Sequence, residues 1–221
     1  MPPEAVTVGE IPAAEAPFDA AAFQAATGAT DAQMGDLERY RSMLEDWNQR
    51  LNLVGPSAMA SFWRRHAYDS AQLLQIEPDA RVWADLGAGA GLPGIVLAIL
   101  LKGREGAHVH LVESLLKRCR FLEEVVRELD LPATVHRSRA EELRLTGIEV
   151  VTARACAPLA RLLGYARPIL SAGARGLFLK GRDIEAEIAE ARRSWKFEAK
   201  LVASLSDPTG RIVRVEKLAR G

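Results

Sequence analysis

A glycine-rich turn between two apolar runs constrains the fold of this chain more than any other feature. In residues 82–99, VWADLGAGAGLPGIVLAI, a short apolar run precedes Gly87, Gly89, Gly91 and Gly94, and a longer apolar run overlaps and follows them. Glycines between a strand and a helix let backbone N–H groups approach a ligand closely. The turn therefore predicts a strand, a ligand-binding loop and a helix, with a ligand that has a nucleoside end.

The glycines can be counted in two frames, and each frame favours a different ligand. Gly89-x-Gly91-x-x-Gly94 matches the dinucleotide fingerprint, which is a weak signal by itself. In that frame Asp85 and Gly87 fall inside a buried strand, where an unpaired carboxylate is costly. If the frame starts at Asp85, the acid ends the strand and faces the ligand crevice. There it can accept a hydrogen bond from a cationic amino group, which S-adenosylmethionine has and NAD lacks.

Strand-like and helix-like patterns alternate from about residue 80 onward. The runs RVWADL, AHVHLVE, ATVHRS, GIEVVTAR and RGLFLK predict a parallel sheet with helices on both faces. KFEAKLVASL and RIVRVEKL flank the turn SDPTG and predict an antiparallel hairpin at the sheet edge. A seven-stranded, mostly parallel α/β sheet with such a hairpin resembles the Rossmann-like fold of S-adenosylmethionine-dependent methyltransferases. Residues 79–221 are therefore predicted to form a methyltransferase domain, in which Glu113 ends the second strand and can hold ribose hydroxyls.

A helical extension is predicted before this domain, over residues 18–78. Residues 1–17 are rich in Pro, Ala and Glu without periodicity, and we expect them to form a disordered tail. Ser57 is predicted to cap a second helix of the extension. The first helix has one apolar stripe at spacings of three and four, formed by Leu37, Tyr40, Leu44, Trp47 and Leu51.

The bulk composition is that of a globular protein, with 221 residues, 48% of them hydrophobic and 26% charged. No apolar run reaches the ~18–20 residues needed to span a bilayer, so we expect no membrane partner. Two cysteines, Cys119 and Cys156, favour a reduced, cytoplasmic compartment over a disulfide scaffold. The 29 basic and 29 acidic residues cancel, which leaves nucleic-acid binding to local basic patches. Because no predicted helix has an apolar face that stays exposed, we expect a monomer.

Three further groups of side chains have two interpretations each. His108 and His110 share one face of a strand, but no Cys or third His lies within useful spacing, so exposed histidines are favoured over a metal site. Cys156 occupies the place of a cytosine-C5 nucleophile without the usual preceding proline, and we interpret it as a small buried side chain. His66 and Asp69 in RRHAYDS either act near a methyl-transfer cleft or pack between helices.

Seven motifs follow one another along nearly the whole chain: WNQRLNLVGP, RRHAYDSAQLL, DLGAGAGLPGIVLAI, VESLLKRCRFLEEV, SRAEEL, TARACAPL and FLKGRD. In order and spacing they resemble the RsmG family, also called glucose-inhibited division protein B, over about residues 35–217. One departure is NLVG, where many members have a threonine after the leucine. The resemblance implies transfer of a methyl group from S-adenosylmethionine to N7 of a guanine in 16S rRNA of the small ribosomal subunit.

The resemblance also implies cofactor contacts at Gly87, Leu92, Ala140, Glu141 and Arg154. Ala140 and Glu141 follow the third strand, where a backbone N–H and a carboxylate can read the adenine edge. Arg154 ends the fourth strand beside the reacting centre and can hold a carboxylate or a phosphate bidentately. The complete predicted cofactor site comprises Asp85, Gly87, Gly89, Gly91, Leu92, Glu113, Ala140, Glu141 and Arg154.

Guanine N7 carries an in-plane lone pair and no proton, so in-line methyl transfer needs no general base, metal or covalent intermediate. The enzyme then contributes positioning, for which Arg154 is a candidate, and exclusion of water. We expect the base to be extruded from the RNA before it reacts. Six basic residues near the crevice are candidates for phosphate contacts, although each can also be part of a solvated helix face. These are Arg64, Arg65, Lys117, Arg118, Lys180 and Arg182.

Two alternative functions stay open on the sequence alone. A methyltransferase for a small molecule or a protein is compatible with the lack of a large added substrate domain, but not with the motif set. The second alternative is a nucleotide-binding regulatory protein without catalytic activity. Binding of NAD, or no binding of S-adenosylmethionine, would contradict the main prediction.

Overall fold

The computed structural model describes residues 18–55 and 59–221. The predicted tail over residues 1–17 and the predicted cap Ser57 lie outside these ranges. No helix within them is long and apolar enough to cross a membrane. The α-helices of the described residues are α1 (Ala20–Thr27), α2 (Asp31–Leu51), α3 (Asp69–Ile76), α4 (Gly94–Leu101), α5 (Leu116–Glu128), α6 (Leu159–Leu170) and α7 (Ile184–Ala191).

The described strands form one seven-stranded sheet in the order β3-β2-β1-β4-β5-β7-β6. Strands β1 to β5 are parallel to one another, and β7 is antiparallel to both β5 and β6. This confirms the predicted mostly parallel sheet with an antiparallel hairpin at its edge. The strands are β1 (Val82–Leu86), β2 (His108–Glu113), β3 (Ala133–Arg137), β4 (Val150–Arg154), β5 (Arg175–Lys180), β6 (Trp195–Ala203) and β7 (Arg211–Arg220).

The central strands are buried on both faces, which explains why they are nearly continuous apolar runs in the sequence. Successive side chains of a strand point to opposite faces. Trp83 of β1 accordingly packs in the core that contains residues of α2, α4 and α5, whereas its neighbour Ala84 packs in the core that contains residues of α6 and α7. The carboxyl ends of the parallel strands then meet at one edge of the sheet, where the candidate site lies.

The helical extension shares its core with the sheet, because Tyr40 and Phe62 pack in the same cluster as Leu92 and Ile95 of the glycine-rich region. Tyr40 is fully buried, and its hydroxyl donates a hydrogen bond to the carbonyl of Ala90 at 2.6 Å. The extension thus supports the glycine loop directly. The boundary between residues 18–78 and 79–221 stays a prediction.

The segment after residue 59 is not the single regular helix that the sequence predicts. A 3₁₀ turn at Met59–Ser61 leads into a π-helix at Phe62–Tyr68, and only then does α3 begin. A π-helix has i→i+5 hydrogen bonds, is rare, and frequently occurs at functional sites. Here it carries the RRHAY motif, so the departure from regular geometry falls on the residues that face the candidate site.

Tyr40→Phe tests whether the extension supports the loop. The substitution leaves the buried carbonyl of Ala90 without its donor, and we expect a loss of about 1–2 kcal/mol in the free energy of unfolding. For a protein of this size that corresponds to a fall in Tm of about 2–4 °C per kcal/mol, measured by calorimetry. Tyr68→Phe is the matched control. The ring of Tyr68 packs against Phe18, and its hydroxyl makes no hydrogen bond within the described residues. Equal Tm values for the two variants would contradict the prediction.

Candidate active site

The glycine loop follows β1 and requires glycine at several positions. Gly87, Gly89 and Gly91 have φ values of 72°, 56° and 88°, which lie in the left-handed region that other residues rarely adopt. A Cβ atom at Gly87 would lie 2.8 Å from Sγ of Cys156, and one at Gly91 would lie 2.4 Å from Cγ1 of Ile95. The positive φ values and the lack of space therefore both disfavour a side chain at Gly87 and at Gly91.

Asp85 lies beneath the glycine loop and not on an open crevice, so the expectation that it faces the crevice is wrong. The residue is fully buried, and its Oδ2 accepts a hydrogen bond from the N–H of Gly94 at 2.9 Å. Its Oδ1 is buried without a hydrogen-bond partner in the described residues. Burial raises the pKa of the carboxyl group to about 7. The unpartnered Oδ1 therefore suits a cationic hydrogen-bond donor, because a positive charge would stabilise the ionised carboxylate.

Glu113 links the glycine loop to the start of α5. Its side chain is 5% exposed, and its two oxygens accept hydrogen bonds from the N–H of Gly89 at 3.1 Å and of Leu115 at 2.8 Å. A cavity of about 210 Å³ opens beside it. The cavity brings together four predicted cofactor residues with other side chains; its lining includes Gly87, Glu113, Ser138, Arg139, Ala140, Glu141, Cys156 and Tyr165.

Leu92 belongs to the predicted cofactor site but does not line this cavity. It is 4% exposed and packs in the core behind the loop. Its backbone N–H and that of Gly91 both donate to the carbonyl of Ala88, at 3.3 and 2.7 Å. Leu92 therefore anchors the loop from behind, and a contact with the cofactor stays a prediction.

Arg154 ends β4 and holds the π-helix by several hydrogen bonds. Its Nη1 donates to the carbonyl of Arg65 at 2.9 Å, and it lies 3.0 Å from Nδ1 of His66 and 3.4 Å from Oδ2 of Asp69. Burial and the charge of Arg154 lower the pKa of His66 to about 4, so this imidazole is neutral at pH 7. Nδ1 lies 2.9 Å from the carbonyl of Arg65 and 3.0 Å from Nη1 of Arg154, so the tautomer decides whether it donates to the former or accepts from the latter.

A second and larger cavity, of about 480 Å³, lies on the other side of Arg154. Asp69 organises one wall, because its Oδ1 accepts hydrogen bonds from Oγ of Ser206 at 2.6 Å and from Nε2 of Gln72 at 3.0 Å. Of the two interpretations of His66 and Asp69, the structure favours a place beside the cleft. The cavity is lined by residues of the π-helix, β4, β5 and the turn between β6 and β7, among them Arg65, His66, Asp69, Arg154, Ala155, Lys180, Glu187, Ser204, Ser206, Asp207 and Arg211.

The turn between β6 and β7 supplies residues that the sequence reasoning missed. SDPTG is recognisable as a turn, but its position beside Arg154 depends on β7 lying between β5 and β6. Ser204 and Ser206 have no catalytic motif around them. The only available signal was the reversed strand of the fold, which brings the end of β6 back to the carboxyl ends of β4 and β5.

The six basic candidates differ in their surroundings. Arg64 donates to the carbonyl of Ser206 at 3.2 Å, and Arg65 pairs with Asp207 at 3.0 Å. Lys117 and Arg182 are exposed, and the side chain of Arg118 is 41% exposed beside Glu113.

Lys180 is held inside the site. Its side chain is 11% exposed, and its Nζ donates to the carbonyl of Ala157 and to Oε2 of Glu187, both at 2.7 Å. A phosphate contact at Lys180 would have to compete with this pair.

Two interpretations of the sequence are wrong in the structure. Cys156 is exposed and lines the smaller cavity, so it is not a buried packing residue. A third histidine does join His108 and His110, because β3 pairs with β2 and places Nε2 of His136 at 2.9 Å from Nδ1 of His110. These histidines are half-buried, and burial lowers the pKa of His110 to about 4. No group of side chains suited to a metal ion occurs in the described part of the chain.

Comparison with known sequences identifies the family. The family described as "GidB: rRNA small subunit methyltransferase G" matches residues 33–211. The chain belongs to this family. A GidB relative from Caulobacter vibrioides, named ribosomal RNA small subunit methyltransferase G, is 62% identical over 208 residues, which are 94% of this chain and 96% of the relative. A relative of the same name from Methylorubrum populi is 48% identical over 186 residues, covering 83% and 88% of the two chains. The resemblance in the seven motifs is confirmed.

Solved structures show the GidB chain's fold class. A protein described as a SAM-dependent methyltransferase from Aquifex aeolicus matches with a TM-score of 0.54 and 13% identity, over 79% of this chain and 97% of that chain. A mutant of MtNAS, in complex with S-adenosylmethionine, matches with a TM-score of 0.52 and 15% identity, over 90% and 84%. At such identities the likeness concerns the fold alone. It confirms the Rossmann-like methyltransferase fold.

Asp85→Asn tests the burial of this carboxyl group in the GidB protein through the pH dependence of stability. The folded-state pKa of about 7 lies above the ordinary value of 3.8, so the contribution of Asp85 is fully present below the ordinary value and is lost as pH rises through 7. The amide that replaces the carboxyl group does not titrate. The free energy of unfolding of the variant should therefore rise relative to the wild type over that interval, measured by urea unfolding at several pH values.

The histidines titrate in both proteins and cancel in this difference. A difference between variant and wild type that is independent of pH would contradict a raised pKa at Asp85.

Proposed function

We propose that this protein transfers a methyl group from S-adenosylmethionine to N7 of a guanine in 16S rRNA of the small ribosomal subunit. One structural observation supports this proposal in addition to family membership. Three consecutive residues at the end of β4 lie between the two cavities: Arg154 and Ala155 line the larger one, and Cys156 lines the smaller one. A donor in one cavity and an acceptor in the other would meet at this segment, which is the geometry that methyl transfer between two bound molecules needs.

The smaller cavity fits the adenosine end of the cofactor. Glu113 would accept hydrogen bonds from the ribose hydroxyls, since each carboxylate oxygen retains a lone pair after accepting from the backbone. Ala140 and Glu141 would contact the adenine. The orphaned Oδ1 of Asp85, buried beneath the glycine loop, is an acceptor that a cationic amino group would satisfy. The cofactor supplies the methyl group as a sulfonium.

The larger cavity has the volume and the donors for an extruded base. Methylation of N7 gives the purine a positive charge, so a neutral environment close to the ring is favourable. His66, whose pKa is held near 4, adds no second positive charge beside Arg154 in this cavity. Arg154 is anchored through one nitrogen, and the rest of its guanidinium fork can hold a carboxylate or a phosphate. These residues position the reactants and exclude water, and no proton transfer is required.

Contacts with rRNA would come from basic side chains around the larger cavity and the start of α5. Arg65, Lys117, Arg118 and Arg182 are at least partly exposed and can reach phosphates. Such contacts bind RNA without reading its sequence. With rRNA as substrate we also infer a cytoplasmic location, action as a monomer and catalysis without a metal ion.

Transfer of a labelled methyl group tests the proposed function. The purified protein, S-adenosylmethionine carrying a labelled methyl group and 16S rRNA or small subunits from an unmethylated strain should give labelled rRNA. Chemical cleavage at 7-methylguanine should place the label at one guanine. Label in another base, or transfer only to a protein or a small molecule, would contradict the proposal, and so would binding of NAD in place of the cofactor.

Glu113→Gln tests the cofactor site. The amide retains the shape of the side chain but loses one acceptor oxygen and the negative charge, so we expect binding of S-adenosylhomocysteine to weaken about tenfold, or about 1.4 kcal/mol, by isothermal titration. Glu142→Gln is the matched control, because Glu142 is exposed on the loop after β3. Equal affinities of the wild type and the Glu113 variant would remove Glu113 from the site.

A further inference from the structure

Lys180 makes its contacts within the protein, at the carboxyl end of β5. Its Nζ donates to the carbonyl of Ala157 and to Oε2 of Glu187, and the same Oε2 accepts from the N–H of Leu159 at 2.7 Å. The pair therefore holds the connection from β4 to α6 at two points, on either side of Pro158. The side chain of Lys180 is 11% exposed and that of Glu187 is 30% exposed.

The connection held by this pair forms the wall between the two cavities. Arg154 and Ala155 face the larger cavity, whereas Cys156 faces the smaller one. Ala155 has a φ of 50°, which an L-residue adopts only when its surroundings fix it. Sγ of Cys156 occupies the space beside Gly87, so a shift of this segment would also disturb the glycine loop. A movement of the wall thus changes both binding sites together.

We propose that Lys180 is a positioning residue for methyl transfer, which acts through Glu187 and the segment from Arg154 to Leu159 to fix the wall between donor and acceptor. This inference rests on the proposed function. It assigns Lys180 a role different from a phosphate contact with rRNA. The nearby Arg182, which is exposed, is the better candidate for such a contact.

Lys180→Met and Arg182→Met separate the two roles. Misplacement of reactants by about 1 Å can lower a rate about 100-fold, so we expect Lys180→Met to lower kcat about 10- to 100-fold with KM for rRNA little changed. Loss of a phosphate contact instead weakens binding and reduces the slope of log K against log[salt] by about 0.7–0.9. We expect this change in slope for Arg182→Met and not for Lys180→Met.

Glu187→Gln provides a second variant that retains Lys180. It weakens the same pair, so kcat should fall as in Lys180→Met, and the double variant should lose less than the product of the two single effects. If Glu187→Gln has wild-type kcat, or if Lys180→Met changes the salt slope while kcat is unchanged, the positioning role is wrong.

Hydrogen exchange gives a readout that does not depend on activity. In the wild type the N–H of Leu159 is bonded to Glu187, so its peptide should exchange slowly. We expect faster exchange over residues 154–160 in Lys180→Met and Glu187→Gln, with the rest of the sheet unchanged, and no change in Arg182→Met. Unchanged exchange in all variants would overturn the proposal. If the wild type does not methylate rRNA but exchange responds as expected, the proposed function fails while the contacts of Lys180 stand.

Discussion

The glycine loop is the constraint on which the rest of the site depends, because its backbone is held from two directions by buried polar side chains. The carboxylate of Glu113 binds the N–H of Gly89, and the hydroxyl of Tyr40 binds the carbonyl of Ala90. Each anchor belongs to a different part of the chain, one in β2 and the other in the helical extension. Buried polar groups of this kind are costly unless they are paired. The loop conformation and the packing of the extension therefore stabilise each other.

The larger cavity likewise depends on several segments of the chain that contact one carboxylate, that of Asp69. Asp69 follows the π-helix, pairs with Arg154 of β4 and accepts from Ser206 of the turn between β6 and β7. Gln72, one turn later in α3, donates to Asp69 and to Ser204 and accepts from the N–H of Leu205. Three segments that are distant in sequence thus form one wall. This explains how a fold without an inserted substrate domain can build a second cavity beside the glycine loop.

Features that local sequence patterns determine were predicted correctly, whereas contacts between side chains that depend on how the strands pair were missed. The seven strands and the glycine loop follow from periodicity and glycine spacing, but the cost of a buried charge did not keep Asp85 out of the core, because the residue lies in β1 and is fully buried. The histidine cluster was incomplete because spacing along the chain cannot show that β3 brings His136 beside His110. Cys156 was assigned the wrong surroundings for the same reason. Whether a side chain after a strand is exposed or paired depends on which loop and helix lie next to it.

Burial shifts the pKa values of Asp85 and His66 in opposite directions, and each shift favours the neutral form of the side chain. The pKa of Asp85 is raised to about 7 and that of His66 is lowered to about 4. Protonation of His66 below its pKa would place a second positive charge beside Arg154, at 3.0 Å from its Nη1. A cationic group bound at Asp85 would instead lower the carboxyl pKa and release a proton near pH 7. In the proposed site, the charge of a bound donor would therefore be balanced by the ionised carboxylate that its binding favours at Asp85, and the acceptor side would keep a neutral imidazole beside the base.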